Sequence, residues 1–416
     1  MDLLLLRFAT NSYPMWPSIR KFLNDIHLYA GLTCGLIVIA VCLSGTVYVY
    51  NTEIREYFDS DRFFVNQQGS PLALEELRSD LEDAYEGKVV GVNVFAQEGR
   101  TYQFTLKKPG EENSLTLFVD PYSGKVLADN SSKTSSERWM GYLFSLHRWL
   151  LLDKIETPIL NQMSNMELGR LINGVATLLF LLGVMTGIFI WVPKKTKNWK
   201  QGLGVKWNAN WKRINHDLHN SLAFYSLIAL FIMSVTGPFW SFGWYKMAWQ
   251  KSWDIYQAPK EEPKASAPMG DPSESVLVQK EDSVSVYALP IASLDEVIAL
   301  ANRELPYLGN VRITLPEEAG GEIGVSKSRV GFFARAGADQ LKITSSSLEI
   351  KEVTLFADLP IRQQIGESVK SLHTGEIFGQ MTKFLWAVAC AIATSLPITG
   401  TLIWWNKRKK SKGKNE

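Results

Sequence analysis

The sequence predicts an α-helical membrane protein, with four transmembrane helices in two repeats and two small α+β domains carried between them on one side of the bilayer. Three observations lead there. Four apolar runs are long enough to cross a hydrocarbon core of about 30 Å: Leu28 to Tyr50, Leu171 to Val192, Leu218 to Trp240 and Phe384 to Trp405. The long polar segments after the first and third runs change to strand-like alternation. Histidine triplets then recur in the same order in both halves: Asp25-Ile26-His27 with Asp217-Leu218-His219, and Ser145-Leu146-His147 with Ser371-Leu372-His373.

A mean hydropathy of −0.04 hides this segregation, and a net charge of +2 over 416 residues points to no particular partner. The distribution of the basic residues is more telling. Lys194, Lys195, Lys197, Lys200, Lys206, Lys212 and Arg213 lie between the second and third runs, six more basic residues follow the fourth, and Arg20 and Lys21 precede the first. The positive-inside rule therefore puts both termini and the middle loop in the cytoplasm, and the two large loops on the outer side. These clusters read as topology signals and lipid contacts, with no nucleic-acid partner. Leu3 to Leu6 is too short for a signal-peptide core, so the first span is expected to be retained. The three cysteines, Cys34, Cys42 and Cys390, all fall inside predicted spans, so no disulfide framework is expected outside.

The predicted segments follow in order. Residues 18–50 form the first span, entered at Ser18 as N-cap. Residues 51–137 form the first outer domain, with a helix over Leu72 to Tyr85 and strands over Val89 to Phe95, Thr101 to Leu106 and Leu115 to Val119. In that domain Asp120-Pro121-Tyr122-Ser123-Gly124 makes the turn before Lys125-Val126-Leu127. An interfacial helix and the second span occupy 138–192. His147 lies 40 residues before Gly187 but His373 only 27 before Gly400, so the first half carries a 13-residue insertion near Leu151 to Met163. A basic loop (193–213) and the third span (214–240) come next. The segment 241–365 holds a linker, Gln257 to Ser285, and the second outer domain. That domain is predicted to have a helix over Leu294 to Leu305 and strands near Val311 to Leu315, Ile323 to Ser326, Val330 to Ala336, Leu341 to Thr344 and Glu349 to Leu355. An interfacial segment with the fourth span (366–405) and a basic tail (406–416) complete the chain.

Titratable residues at a membrane are functional hypotheses by default. The chain has five histidines, and four of them hold symmetric positions. They suggest axial ligands for two haem groups: His27 with His219 toward the cytoplasm, and His147 with His373 on elements packed at the outer surface. The plainer alternative is interfacial histidines hydrogen-bonded to carbonyls. His216 lies three residues before His219 and competes with it as a ligand. Asp25 and Asp217 are candidates to orient the imidazoles or set a haem potential, against the plainer alternative of water-facing interfacial acids. The absence of Cys-x-x-Cys-His excludes the usual covalent c-type haem attachment. Gly31-x-x-x-Gly35 and Gly183-x-x-x-Gly187 read as close helix packing, and Pro238 and Pro397 are expected to end or kink their spans. No dinucleotide fingerprint or phosphate loop is present, so electrons would come from a separate donor, a membrane quinol or a flavin reductase.

Several motifs are similar to those of the PepSY-associated transmembrane proteins of the PiuB/FoxB type, and the resemblance spans nearly the whole chain. The motifs are Asp25-x-His27 with Ser44-Gly45-Thr46, Asp120-Pro-Tyr-Ser-Gly124, Leu146-His147-Arg148-Trp149, Leu372-His373-Thr374-Gly375-Glu376-Ile377-Phe378-Gly379, and the span ends Thr186-Gly187-Ile-Phe-Ile-Trp191 and Thr399-Gly400-Thr-Leu-Ile-Trp404. The second outer domain lacks the Asp-Pro-x-x-Gly turn. The resemblance implies four spans, paired periplasmic PepSY domains, two haem b groups, and reduction of a ferric siderophore or other ferric chelate. The alternative from a different class is a membrane-tethered PepSY sensor or peptidase-regulating module without redox activity.

Overall fold

A computed structural model of the chain describes residues 16–111, 113–192, 196–257, 292–316 and 320–412. From the N-terminal end, α1 (Trp16–Tyr48) leads through the short helices α2 (Asn51–Phe58) and α3 (Ser60–Phe63) into α4 (Leu74–Tyr85). Strands β1 (Lys88–Val94), β2 (Tyr102–Lys107), β3 (Leu115–Val119) and β4 (Val126–Asp129) follow, then α5 (Ser135–Trp149) and α6 (Asn165–Trp191). The second half runs α7 (Trp211–Thr236), α8 (Gly243–Ser252) and α9 (Leu294–Glu304). Strands β5 (Gly309–Thr314), β6 (Glu322–Arg329), β7 (Ala338–Thr344) and β8 (Ile350–Thr354) precede α10 (Ile361–Glu367), α11 (Val369–Thr374) and α12 (Gln380–Lys412).

Among the described residues four helices are long and apolar enough to cross a membrane: Pro17–Tyr48, Asn165–Trp191, Trp211–Trp240 and Gln380–Arg408. Each outruns its apolar stretch, and two of them begin at polar caps. Ser164 and Glu167 close a capping box at the start of α6, and the Asn210 side chain accepts from the Arg213 N–H at 3.1 Å at the start of α7. The helices α1 and α7 each pack on both α6 and α12, so α1 and α7 face one another across a ring of four.

Pro238 heads the 3-10 turn Gly237–Trp240 that ends the third span, as expected. Pro397 does not end its span. It lies inside α12, which continues to Lys412, and α1 makes room for its ring at Gly35, where an added Cβ would stand 3.1 Å from the Pro397 Cβ. Gly35 is therefore a packing glycine, whereas Gly31 has nothing within 4 Å.

The two loops, expected as two small α+β units, put all their strands into one eight-stranded antiparallel sheet in the order β4-β3-β2-β1-β5-β6-β7-β8. The join is the pairing of β1 with β5, with Val92 opposite Ile313 and Asn93 opposite Arg312. One face carries a continuous core that includes Leu77, Val92, Phe104, Leu117, Leu294, Ile313, Ile323 and Leu341. The helices over that face cap each other. Asp295 of α9 accepts from the Leu74 and Glu75 N–H groups at 2.9 and 3.0 Å, and Glu75 of α4 accepts from the Leu294 N–H at 3.0 Å. Free N–H groups at a helix start attract carboxylates, so each half completes the other.

The strand expected over Val330 to Ala336 is instead the connection between β6 and β7, with Gly331 and Gly337 both at positive φ. Its Phe332 and Phe333 are exposed. The Phe332 carbonyl accepts from the Gln380 N–H at 3.0 Å, and the Ala336 N–H donates to the Ile377 carbonyl at 3.1 Å, tying the sheet to the start of the fourth span. The Asp120 turn forms as expected, its carboxylate accepting from the Tyr122 N–H at 2.9 Å. The proposed insertion is a loop pinned by Asn165, whose amide donates to the carbonyls of Ile155 and Thr157, both at 2.8 Å. From residue 258 onward the expected linker lies outside the described residues.

Candidate functional site

Four of the five histidines come together in two pairs. His27 on α1 faces His219 on α7 with ring centres 6.4 Å apart and planes at 87°. His147 on α5 faces His373 on α11 with centres 6.1 Å apart and planes at 62°. Gly45 sits against the His147 ring, with an added Cβ 2.9 Å from Cε1, and Gly237 sits near His373, at 3.6 Å. Each glycine lies 18 residues beyond its helix's histidine, His27 or His219. Eighteen residues of helix rise about 27 Å, close to the thickness of a hydrocarbon core. One pair thus lies near the basic end of the bundle and the other near the sheet.

Every imidazole is anchored through Nδ1. His27 Nδ1 meets the Gly183 carbonyl at 2.9 Å and Thr186 Oγ1 at 3.2 Å. His147 Nδ1 meets the Val41 carbonyl at 2.9 Å. His219 Nδ1 meets Thr399 Oγ1 at 2.8 Å, and His373 Nδ1 meets Thr236 Oγ1 at 2.9 Å. A carbonyl only accepts, so Nδ1 of His27 and His147 carries the proton. Thr399 and Thr236 already donate to the carbonyls of Ser395 (3.0 Å) and Ile232 (2.7 Å), so their oxygens accept from the ring. All four neutral rings are therefore Nδ1–H tautomers with a bare lone pair on Nε2. At the sheet-side pair, burial pulls His147 below its usual range, and burial with the neighbouring His147 holds His373 down to about 3. Both stay neutral, as ligands must be.

The small residues of the span ends serve the His27–His219 pair. An added Cβ would meet His27 Cε1 at 3.4 Å from Gly187 and His219 Cε1 at 3.3 Å from Gly400. Gly187, expected as a helix-packing residue, therefore makes room for an imidazole, while Gly183 contributes its carbonyl and has open space at its Cβ position. In each half one threonine-glycine pair gives the ring both an acceptor and clearance.

Three side chains that the sequence left open have definite surroundings in the structure. His216 joins neither pair: its ring is half exposed and meets Asp217 at 3.5 Å and Asn220 at 3.2 Å. Both contacts are on α7 itself, and three residues of helix leave His216 and His219 about 60° apart around the axis. Asp217 does not orient His219; it is buried with Arg213 Nε at 2.8 Å and the Lys206 N–H at 3.3 Å. Asp25 is exposed on α1 and has no contact with His27. Threonine hydroxyls and helix carbonyls do the orienting, and of these Val41 and Thr236 carried no signal that the sequence reading used.

The sheet-side pair lines an apolar cavity between the spans with Val38, Val41, Ala176, Phe180, Leu230 and Met233 among others, and Arg148 also lines it. Burial, then the Arg170 guanidinium, lowers the Arg148 pKa. Neither arginine has a carboxylate partner among the described residues, and Arg170 Nε is buried unpaired. Asn173 fixes the end of α5 by donating to the His147 carbonyl at 2.7 Å.

Fold and site together define a four-span membrane protein with an antiparallel extramembrane sheet and two internally facing histidine pairs. The model of the PepSY-associated TM region matches residues 25–407, and the chain belongs to that family. No curated protein matches it.

Proposed function

We propose that the chain is a di-haem b oxidoreductase of a bacterial inner membrane, carrying electrons from a cytoplasmic-side donor, a quinol or flavin reductase, to a periplasmic ferric chelate such as a ferric siderophore. The family supports a membrane protein of this general type. The spacing of the imidazoles carries the haem assignment. An iron bound to a nitrogen on each side at about 2 Å, with about 1.2 Å from each nitrogen to its ring centre, separates the centres by about 6.4 Å. The two pairs stand at 6.4 and 6.1 Å with both Nε2 lone pairs free. Two histidines merely filling a core would need neither that gap nor a fixed tautomer.

His27 and His219 would hold one haem, and His147 and His373 the other, with Arg148 and Arg170 offering charge to acidic substituents beside the second. When bound, haem would supply a one-electron change between ferric and ferrous iron. The chain does the rest. Thr186, Thr399, Thr236 and the carbonyls of Gly183 and Val41 hold the rings and raise their basicity. The apolar walls exclude water, and the 18-residue register sets the two sites near opposite faces. The bias of arginines and lysines toward the other side of the spans supports a periplasmic sheet.

The test is purification of the full chain with haem. Two haems per chain with a low-spin bis-histidine spectrum, and reduction of an external ferric chelate by a reductant sealed inside liposomes, are expected. A folded, colourless protein would sink the reading in favour of a sensor or peptidase-regulating module.

A further inference from the structure

The face of the sheet opposite its core is polar along one continuous line. Gln103, Asn93, Arg312, Ser326 and Gln340 stand directly opposite one another on β2, β1, β5, β6 and β7, so their side chains share a face. The line crosses the β1–β5 join, where Arg312 Nε donates to Asn93 Oδ1 at 2.8 Å. Against it lies α2, and between them is a groove of about 360 Å³ lined by Arg55, Glu56, Arg100, Arg312, Ser326 and other residues. That is the size of a small-molecule site, and it has the convergent polar groups such a site needs.

The charge in the groove is unbalanced. Arg100 is paired with Glu56, and Arg55 shares Glu137 with Arg62. Arg312 pairs with no carboxylate among the described residues and is exposed to the groove. Three guanidiniums thus line the groove against one carboxylate. The neighbouring amides and hydroxyls add neutral donors. The arrangement suits a multiply charged anion with several acceptor oxygens.

Its place in the fold says which anion. Arg55 is ten residues beyond Gly45, which touches the His147 ring, so along a nearly continuous helix the groove begins about 15 Å above the sheet-side histidine pair. We propose that this groove at the join of the two half-sheets is the docking site for an anionic ferric chelate, of the carboxylate or catecholate kind, and disfavours cationic chelates. The inference rests on the reductase reading for the metal, but the binding it describes needs no electron.

Gallium(III) separates the two, because it takes the same oxygen ligands and is not reduced. The full haem-loaded protein is titrated calorimetrically with gallium citrate, with an anionic gallium tris-catecholate, and with a gallium trihydroxamate carrying a free ammonium. Binding of at least one anionic chelate at least tenfold more tightly than the cationic one is expected, and the two anionic arms show which oxygen donors the groove prefers. Arg312→Glu should weaken that binding about tenfold or more, the loss of one charge-assisted contact, and Arg312→Lys should restore part of it. Ser326→Glu introduces the same charge in the same row and serves if Arg312→Glu does not fold. Equal binding of cationic and anionic chelates, or no response to either carboxylate, overturns the proposal. Selective gallium binding without reduction of the iron forms would leave the groove standing and remove the reductase reading.

Discussion

Gly45→Ala is the most discriminating change in the bundle. A methyl there would stand 2.9 Å from His147 Cε1 and 3.0 Å from its Nδ1. Ordinary contact between such atoms begins about 0.6 Å further out, so the ring must move by roughly that much. The ring is held at Nδ1 by the Val41 carbonyl four residues earlier on the same helix, so it cannot swing away without lengthening that bond. Off-rotamer displacement costs about 0.5–1.5 kcal/mol, and loss of the hydrogen bond about 1 kcal/mol more. Together these correspond to roughly a ten- to hundredfold weaker hold on anything bound between His147 and His373. The pair at His27 and His219 lies about 27 Å away along α1 and should be untouched. Haem content per chain and the low-spin resonance spectrum read both sites at once. The expected result is loss or broadening of one haem signal only, with the second unchanged. Gly31→Ala on the same helix, with nothing within 4 Å, is the control and should keep both. If Gly45→Ala retains two unaltered signals, or loses both together, the assignment of that glycine to the sheet-side pair is wrong.

Three other outcomes are expected. Thr399→Val keeps the shape but removes the oxygen that accepts from His219; it should weaken haem at the basic-side pair about 10- to 100-fold and shift its midpoint potential, measured by redox titration. His216→Ala should retain full haem content, whereas His219→Ala should lose one haem, measured by absorbance per chain. Asp295→Ala strips the caps from two N–H groups of α4 and should lower sheet stability by about 1–2 kcal/mol, read as a lower Tm, with haem spectra unaltered.

The four spans were legible because lipid demands long apolar helices, and nothing else in a sequence looks like them. The histidine pairing was legible because the internal symmetry placed His27 and His219, and His147 and His373, at matched positions. Loop and turn chemistry was partly legible: the Asp120 turn announced itself, while Val330 to Ala336 alternates like a strand but is a turn region flanked by Gly331 and Gly337. The glycine spacing was visible from the start, yet its purpose was not, since a glycine shows what it makes room for only once the neighbouring helix is in place.

By itself, then, the sequence determined the spans, the helices and most of the strands, and which histidines belong together, because those follow from local hydrophobic period and from repetition along the chain. The tertiary structure alone decided that two loops separated by more than a hundred residues pair β1 with β5 into one sheet. It also decided that Thr236, Thr399 and the carbonyls of Gly183 and Val41 fix the imidazoles, that His216 stands aside, and that Arg312 faces α2 across a groove. Hydrogen-bond partners far apart in sequence carry no local periodicity, so they exist as neighbours only after the helices and strands have packed.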